Sequence, residues 1–269
     1  MLAGHQPRLA PGAGRSERCA RVELEVLDDP IPLARVHDPL VGGGVVASEV
    51  PGLVVGNPRM PELRVDGQPL PPLAEAEQEA RAVAVASGWR TELLVGAAAE
   101  ESAVRERAVR APWIHLATHA RLDGADPLAS LVALAPDRSI AGGDGRWTVA
   151  EIETSRLSAD LVTLSACETG LGPISADGVL GLSRAFLVAG ARSLLVSLWR
   201  VADLPTRFQM ERFYRELGAN GGDRARALRV AQLATLGALR RGELLSPSGR
   251  PIPEAPAYWA PFVLLGEPR

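Results

Sequence analysis

Two histidines and one cysteine stand at places where they could do chemistry. His119 follows the apolar run Trp-Ile-His-Leu-Ala, which carries His115 inside it, and Cys167 follows the apolar run Leu-Val-Thr-Leu. A thiol attacks a carbonyl carbon as its thiolate, and an unperturbed cysteine is only a few per cent ionised at neutral pH. An imidazole beside it takes the proton during attack and returns it to the leaving amine. The backbone N–H groups of Ala120 and Cys167, at the same two run ends, are the natural donors to the developing oxyanion. This pairing is the chemistry of covalent acyl transfer, with Cys167 as nucleophile and His119 as base and then acid.

Chain order narrows the choice. The four histidines, His5, His37, His115 and His119, all precede Cys167, so arrangements that need a histidine downstream of the nucleophile do not fit. The stretch from Gly181 to Ala185 loosely resembles a serine nucleophile turn around Ser183, but it falls in a helical pattern and also lacks a later histidine. His115 sits within its run and reads as a core histidine with a satisfied ring. His115 and His119 have no third histidine or cysteine at ligand spacing, so neither a metal nor an organic cofactor is expected. Cys19 has no partner signal, and both cysteines read as free thiols of a reducing compartment.

The elements that must position these residues follow from periodicity. From residue 51 onward, short apolar runs alternate with helical patterns, which predicts an α/β domain with a mostly parallel sheet flanked by helices. Strands are expected at Leu53–Val55, Glu92–Val95, Trp113–Ala117, Leu161–Ser165 and Ser193–Leu198, and Tyr258–Leu265 closes the sheet. Helices are expected at Leu73–Ser87, Glu100–Val109 and Val179–Val188, followed by two long ones to about Leu239. Between Leu131 and Trp147, a short strand and a Gly-Gly-Asp-Gly turn predict a β-hairpin insertion. Thr148 then caps a short helix, with Glu151 in the capping-box position. The strands before His119 and Cys167 are both apolar and read as central, so both residues are expected on the carboxyl rim of the sheet, where functional residues gather.

Residues 1–50 differ. They are rich in Pro, Gly and Arg, with one alternating strand at Arg21–Leu27, a plausible hairpin with Ile31–Val36, and a Gly42-Gly43-Gly44 joint. That joint lacks the strand-before, helix-after setting of a phosphate loop. The boundary therefore falls between a divergent segment 1–50 and a domain 51–269. A net charge of −3, with all 29 basic residues arginine and scattered along the chain, gives no pull toward nucleic acid. No run approaches the length of a membrane span and the N-terminus lacks a signal-peptide core, so a cytoplasmic location is expected.

The blocks HLATHA, LVTLSACETGLG, GVLGLSRAFLVAGARSLLVSLWRVAD, MERFYREL, ALRVAQLA and YWAPFVLLG resemble the successive motifs of CHAT domains. A histidine followed after about 50 residues by the nucleophilic cysteine is also the caspase order. The resemblance runs from about Leu53 to Gly266. It implies a caspase-like three-layer sandwich, a bacterial-type relative of caspases and separase, and a cysteine endopeptidase whose dyad maps onto His119 and Cys167. Where the family usually has glycine after the histidine, this chain has Ala120, at a cost of about 1–2 kcal/mol if the position needs left-handed backbone.

Glu168 and Asp177 flank the nucleophile. Either lines a pocket for a basic side chain of the substrate, or Glu168 salt-bridges its loop and Asp177 caps the next helix. Trp199 walls the substrate groove or covers the sheet edge. In the family the peptidase is often controlled by an attached sensor. No repeat of 30 to 45 residues is visible here, so the expected partners are a protein or peptide substrate and a regulatory protein that relieves latency. The alternative function is a catalytically weak or inactive CHAT-like interaction module.

Overall fold

The computed structural model describes residues 49–60, 63–65, 68–123, 125–139, 143–165, 176–199 and 201–269, with backbone alone at 65, 68 and 176–180. The segment 1–48, with its expected hairpin, Gly-rich joint and Cys19, lies outside the described residues.

In chain order the elements are β1 (Gly52–Pro58), β2 (Arg64–Val65), β3 (Gln68–Pro69), α1 (Ala74–Ala86), β4 (Thr91–Gly96), α2 (Glu101–Ala108), β5 (Trp113–Ala117) and β6 (Ala120–Arg121). They continue with β7 (Leu131–Ala133), β8 (Arg146–Thr148), α3 (Val149–Thr154), β9 (Leu161–Leu164), α4 (Ala176–Val188) and β10 (Ser193–Ser197). Helices α5 (Asp203–Ala219), α6 (Arg224–Arg240) and α7 (Pro256–Trp259) precede the last strand, β11 (Phe262–Gly266). The main sheet has the order β11-β10-β9-β5-β1-β4. All its pairings are parallel except that of β10 with β11.

Alternation along each strand splits the core into two layers. Leu53, Val55, Ile114, Leu116, Val162, Leu164, Leu194 and Val196 face α2, α3 and α4. Val54, Trp113, Leu161 and Leu195 face the opposite way, onto Ala80 and Val83 of α1, Met210, Phe213 and Leu217 of α5, and Ala227 and Ala231 of α6. A strand covered on both faces has no polar side to show, which is why these strands read as unbroken apolar runs. The result is the expected three-layer α/β/α sandwich.

The insertion is a small antiparallel sheet of order β6-β7-β8. Its anchor is Glu101, whose buried carboxylate accepts from Gly145 N–H at 2.9 Å and pairs with Arg105 at 2.8 Å. The α3 capping box forms as the spacing of Thr148 and Glu151 requires, Thr148 Oγ1 accepting from Glu151 N–H and Glu151 Oε2 accepting from Thr148 N–H. One expected strand is corrected: Tyr258–Leu265 divides into α7 and β11. Pro256 presets the first turn of a helix, where a missing N–H costs nothing, and the strand starts only after Pro261.

Candidate active site

β5 and β9 are the two central strands, adjacent and parallel, with Leu116 opposite Leu164. His119 lies three positions beyond Leu116 and Cys167 three positions beyond Leu164. Cys167 and Glu168 fall outside the described residues. His119 is described in full, at 1% exposure.

Its backbone is held by the insertion. Ala133 N–H donates to His119 O at 2.8 Å, and Thr118 Oγ1 donates to Ala133 O at 2.7 Å. The ring is held from the other side: Nε2 lies 2.8 Å from the carbonyl oxygen of Pro71, just ahead of α1. A carbonyl can only accept, so the proton of the neutral ring sits on Nε2 and the lone pair on Nδ1. Nδ1 is buried and has no partner among the described residues. Burial lowers the imidazole below its ordinary pKa, with the Pro71 carbonyl opposing in the other direction. A neutral imidazole with a fixed tautomer and an open lone pair is the form a general base needs.

Ala120 is extended, within β6, so the left-handed penalty does not arise at this position. Its register places it opposite Val132, flanked by the Ala133-to-His119 hydrogen bond. That is a non-hydrogen-bonded pair of the antiparallel ladder, so pairing with β7 does not consume the Ala120 N–H.

A cleft of about 680 Å³ opens beside His119, lined by Leu73 and Glu79 of the α1 side, Thr118, Ser165, Leu204 and Tyr258 among others. Ser165, the last described residue after β9, is buried, and its Oγ has no described partner. His115 is the core histidine expected, though only one ring nitrogen is engaged. Nε2 lies 3.1 Å from Glu79 Oε1, the ring packs edge-on against Tyr214 at 5.4 Å, and Nδ1 has no partner among the described residues. Tyr214 in turn shares a 2.8 Å hydrogen bond with Thr163, and burial pushes its hydroxyl well above the usual range, keeping it protonated.

The other sequence candidates are less fully described. Asp177 is inside α4 rather than at its cap, and its side chain is not among those described. Trp199 is half-buried, its Nε1 donating to Ala257 O at 3.3 Å, and it is not one of the residues lining the cleft. Glu79 and Pro71 escaped the sequence reading. A backbone carbonyl leaves no trace in residue identity, and Glu79 looks like any charge on an amphipathic helix. Among the described residues no cluster of three or more His, Cys, Asp or Glu could hold a metal ion, and no helix is long and apolar enough to cross a membrane.

Close approach of α1 to the sheet is what brings the Pro71 carbonyl to His119. At Gly56 a Cβ would lie 2.5 Å from the Ala80 Cβ and 3.1 Å from the Ala76 carbonyl. Gly56→Ala must push the helix off β1, and we expect a loss of about 1–3 kcal/mol in urea unfolding. A loss below a few tenths would mean that α1 is not seated by this contact.

Comparison with known proteins places the chain. Tetratricopeptide repeat protein 28 of Mus musculus is 28% identical over 248 residues, 79% of this chain and 9% of that protein. Its Homo sapiens counterpart is 28% identical over 244 residues, with the same coverage. The chain thus spans about a tenth of the length of these relatives. Among solved structures, the Arg-specific cysteine proteinase gingipain R superposes with a TM-score of 0.45 and 10% identity, over 81% of this chain and 46% of that one. The model of the CHAT domain matches residues 20–267, nearly the whole sequence, and the protein belongs to the CHAT domain family.

Proposed function

We propose that the protein is a cysteine endopeptidase in which His119 and Cys167 form the dyad. The observation that carries this is the 2.8 Å contact of His119 Nε2 with the Pro71 carbonyl, which assigns the proton to Nε2, while Nδ1 has no partner among the described residues, at the carboxyl end of the strand that pairs with β9. The equal offsets of His119 and Cys167 from the Leu116–Leu164 pair support the same reading, since neighbouring parallel strands bring equal offsets to one rim.

The reaction follows. The Cys167 thiol attacks the scissile carbonyl carbon as its proton passes to His119 Nδ1, and the S–C bond forms while the carbonyl π-pair moves onto oxygen. The N–H groups of Ala120 and Cys167 receive that oxyanion. Nδ1 then protonates the leaving amine as the C–N bond breaks, giving an acyl-enzyme. Water, deprotonated by Nδ1, releases the acid and regenerates the thiol. The imidazolium formed twice in each cycle is stabilised by the Pro71 carbonyl. Glu168, Asp177 and Trp199 are candidates for substrate contacts around this centre. A reducing compartment such as the cytoplasm suits the chemistry because it keeps the thiol free.

The relatives matched are tetratricopeptide repeat proteins of which the chain spans 9%, which supports control of the site by a protein element outside the matched region. The purified chain alone is accordingly expected to leave a broad peptide library uncut; constitutive cleavage overturns the partner dependence and leaves the dyad standing. The dyad itself is tested by a peptide bearing an electrophile in place of the scissile carbonyl. Labelling that is lost in Cys167→Ala and falls steeply in His119→Ala supports the peptidase, whereas equal labelling of all three proteins sinks it in favour of an interaction module.

A further inference from the structure

Asn57 is the one non-glycine residue with positive φ among those described, at +46°. It is an extra residue in the ladder, since Gly56 pairs with Val95 and Pro58 with Gly96 of the same neighbouring strand. Asparagine tolerates this backbone better than most residues, but an unusual conformation that persists is held for a reason. Its side chain shows what is held. Asn57 Oδ1 accepts from Leu73 N–H at 2.7 Å.

Leu73 is the N-cap residue of α1, and it supplies no side-chain cap of its own. The first turn of a helix leaves N–H groups without partners, and here an amide from a strand end satisfies one of them. Two residues upstream, in the same Pro71-Pro72-Leu73 stretch, is the carbonyl that receives His119 Nε2–H. Each proline in that stretch has a fixed φ, so the segment moves nearly as a unit. Glu77, in the first turn of α1, is held below its usual range by Arg81 first, and Asn57 acts in the same direction.

We infer that Asn57 is a positioning residue for the His119 base. By fixing Leu73 N–H it sets where the Pro71 carbonyl sits, and that carbonyl decides which ring nitrogen keeps its lone pair. The left-handed bulge aims the amide across at α1, which a regular strand residue at this position would not do. This inference deepens the peptidase reading, yet its central claim concerns the tautomer of one ring and does not need the reaction.

The test uses the full chain with ¹⁵N-labelled histidine, His119 being assigned by its absence in His119→Gln. Asn57→Gly keeps the positive φ without strain and deletes the acceptor. Asn57→Asp, made together with Glu77→Gln to remove the like-charge contact, keeps the acceptor; Glu77→Gln alone is the reference for it. Two readouts are taken on each: the imidazole ¹⁵N shifts, which report the tautomer, and the rate at which Cys167 reacts with the electrophilic peptide across pH. Wild type and the acceptor-keeping double variant are expected to show a single Nε2–H tautomer. In Asn57→Gly the shifts should move toward a tautomer average, and the rate should fall by about 10- to 100-fold, the range that misplacement of a catalytic group by about 1 Å produces.

Retention of the pure Nε2–H tautomer in Asn57→Gly overturns the inference. Equal loss in both Asn57 variants overturns it too, because the acceptor would then not be the determinant. If wild-type Cys167 proves unreactive, the rate reports the latency expected of the chain without its partner, and the shifts alone still decide whether Asn57 orients His119.

Discussion

His119→Ala is expected to slow reaction of Cys167 with a peptide electrophile by about 10² to 10⁴-fold, the usual contribution of a positioned general base, while the protein stays folded. Without the ring, what reactivity remains depends on the thiolate fraction alone, so it should climb with pH. In the wild type the base works wherever the imidazole is neutral. Burial holds its pKa below the ordinary imidazole value, so the acid limb of the rate profile is expected to lie below about pH 6.5. The same shift has a sign for folding. The folded state favours the neutral ring, so this group's contribution to stability is present above the unfolded value of about 6.5 and is lost as pH falls through the depressed folded value. A rate that is unchanged in His119→Ala, or an acid limb well above the ordinary imidazole range, would remove His119 from the reaction.

How much of this was legible in the sequence depends on which interactions each feature needs. The four inner strands of the main sheet and the helices over them were readable because burial on both faces, or along one stripe, is written directly in side-chain polarity, whereas the half-buried edge strand β11 was read as starting at Tyr258. The Thr148–Glu151 capping box was readable for the same reason, since side chains make both of its bonds. The pairing of β5 with β9 could be anticipated only from the apolar character of the two runs. What stayed hidden is carried by backbone. The Pro71 carbonyl, the Ala120 N–H directed away from β7 and the bulge at Asn57 are properties of register and dihedral angle, and the dipeptide Asn57-Pro58 signals a turn without saying what the turn holds. His115 illustrates the converse. Its burial was legible, but the partner, Glu79 on a helix 36 positions earlier, was not.

The strand that leads to His119 begins at Trp113, and truncation there is expected to be the most damaging core change, at about 3–5 kcal/mol. Trp113 is 1% exposed and its ring contacts Trp89 at 5.6 Å and Tyr214 at 5.2 Å between centroids. Two terms compete in setting the cost: transfer of the indole out of water, and the void left if neighbours cannot close in. The void should dominate here, because the ring is clamped between layers that have little freedom to collapse. Tyr214 is tethered through its hydroxyl to Thr163, and β1, next to β5, is an inner strand paired on both sides. Tyr214→Phe, by comparison, removes only that hydroxyl and should cost roughly 1 kcal/mol. The urea midpoint of Trp113→Ala should therefore fall far more than that of Tyr214→Phe, with the slope unchanged in both. The contact with β1 supplies a sharper criterion. A Cβ on Gly52 would lie 2.0 Å from the Trp113 ring, so Gly52→Ala alone should be strongly destabilising, whereas in the Trp113→Ala background the methyl enters vacated space and should be tolerated or mildly favourable. Simple additivity of the two changes would mean that the indole does not occupy this position, and β5 would lose the anchor that fixes its register against β1.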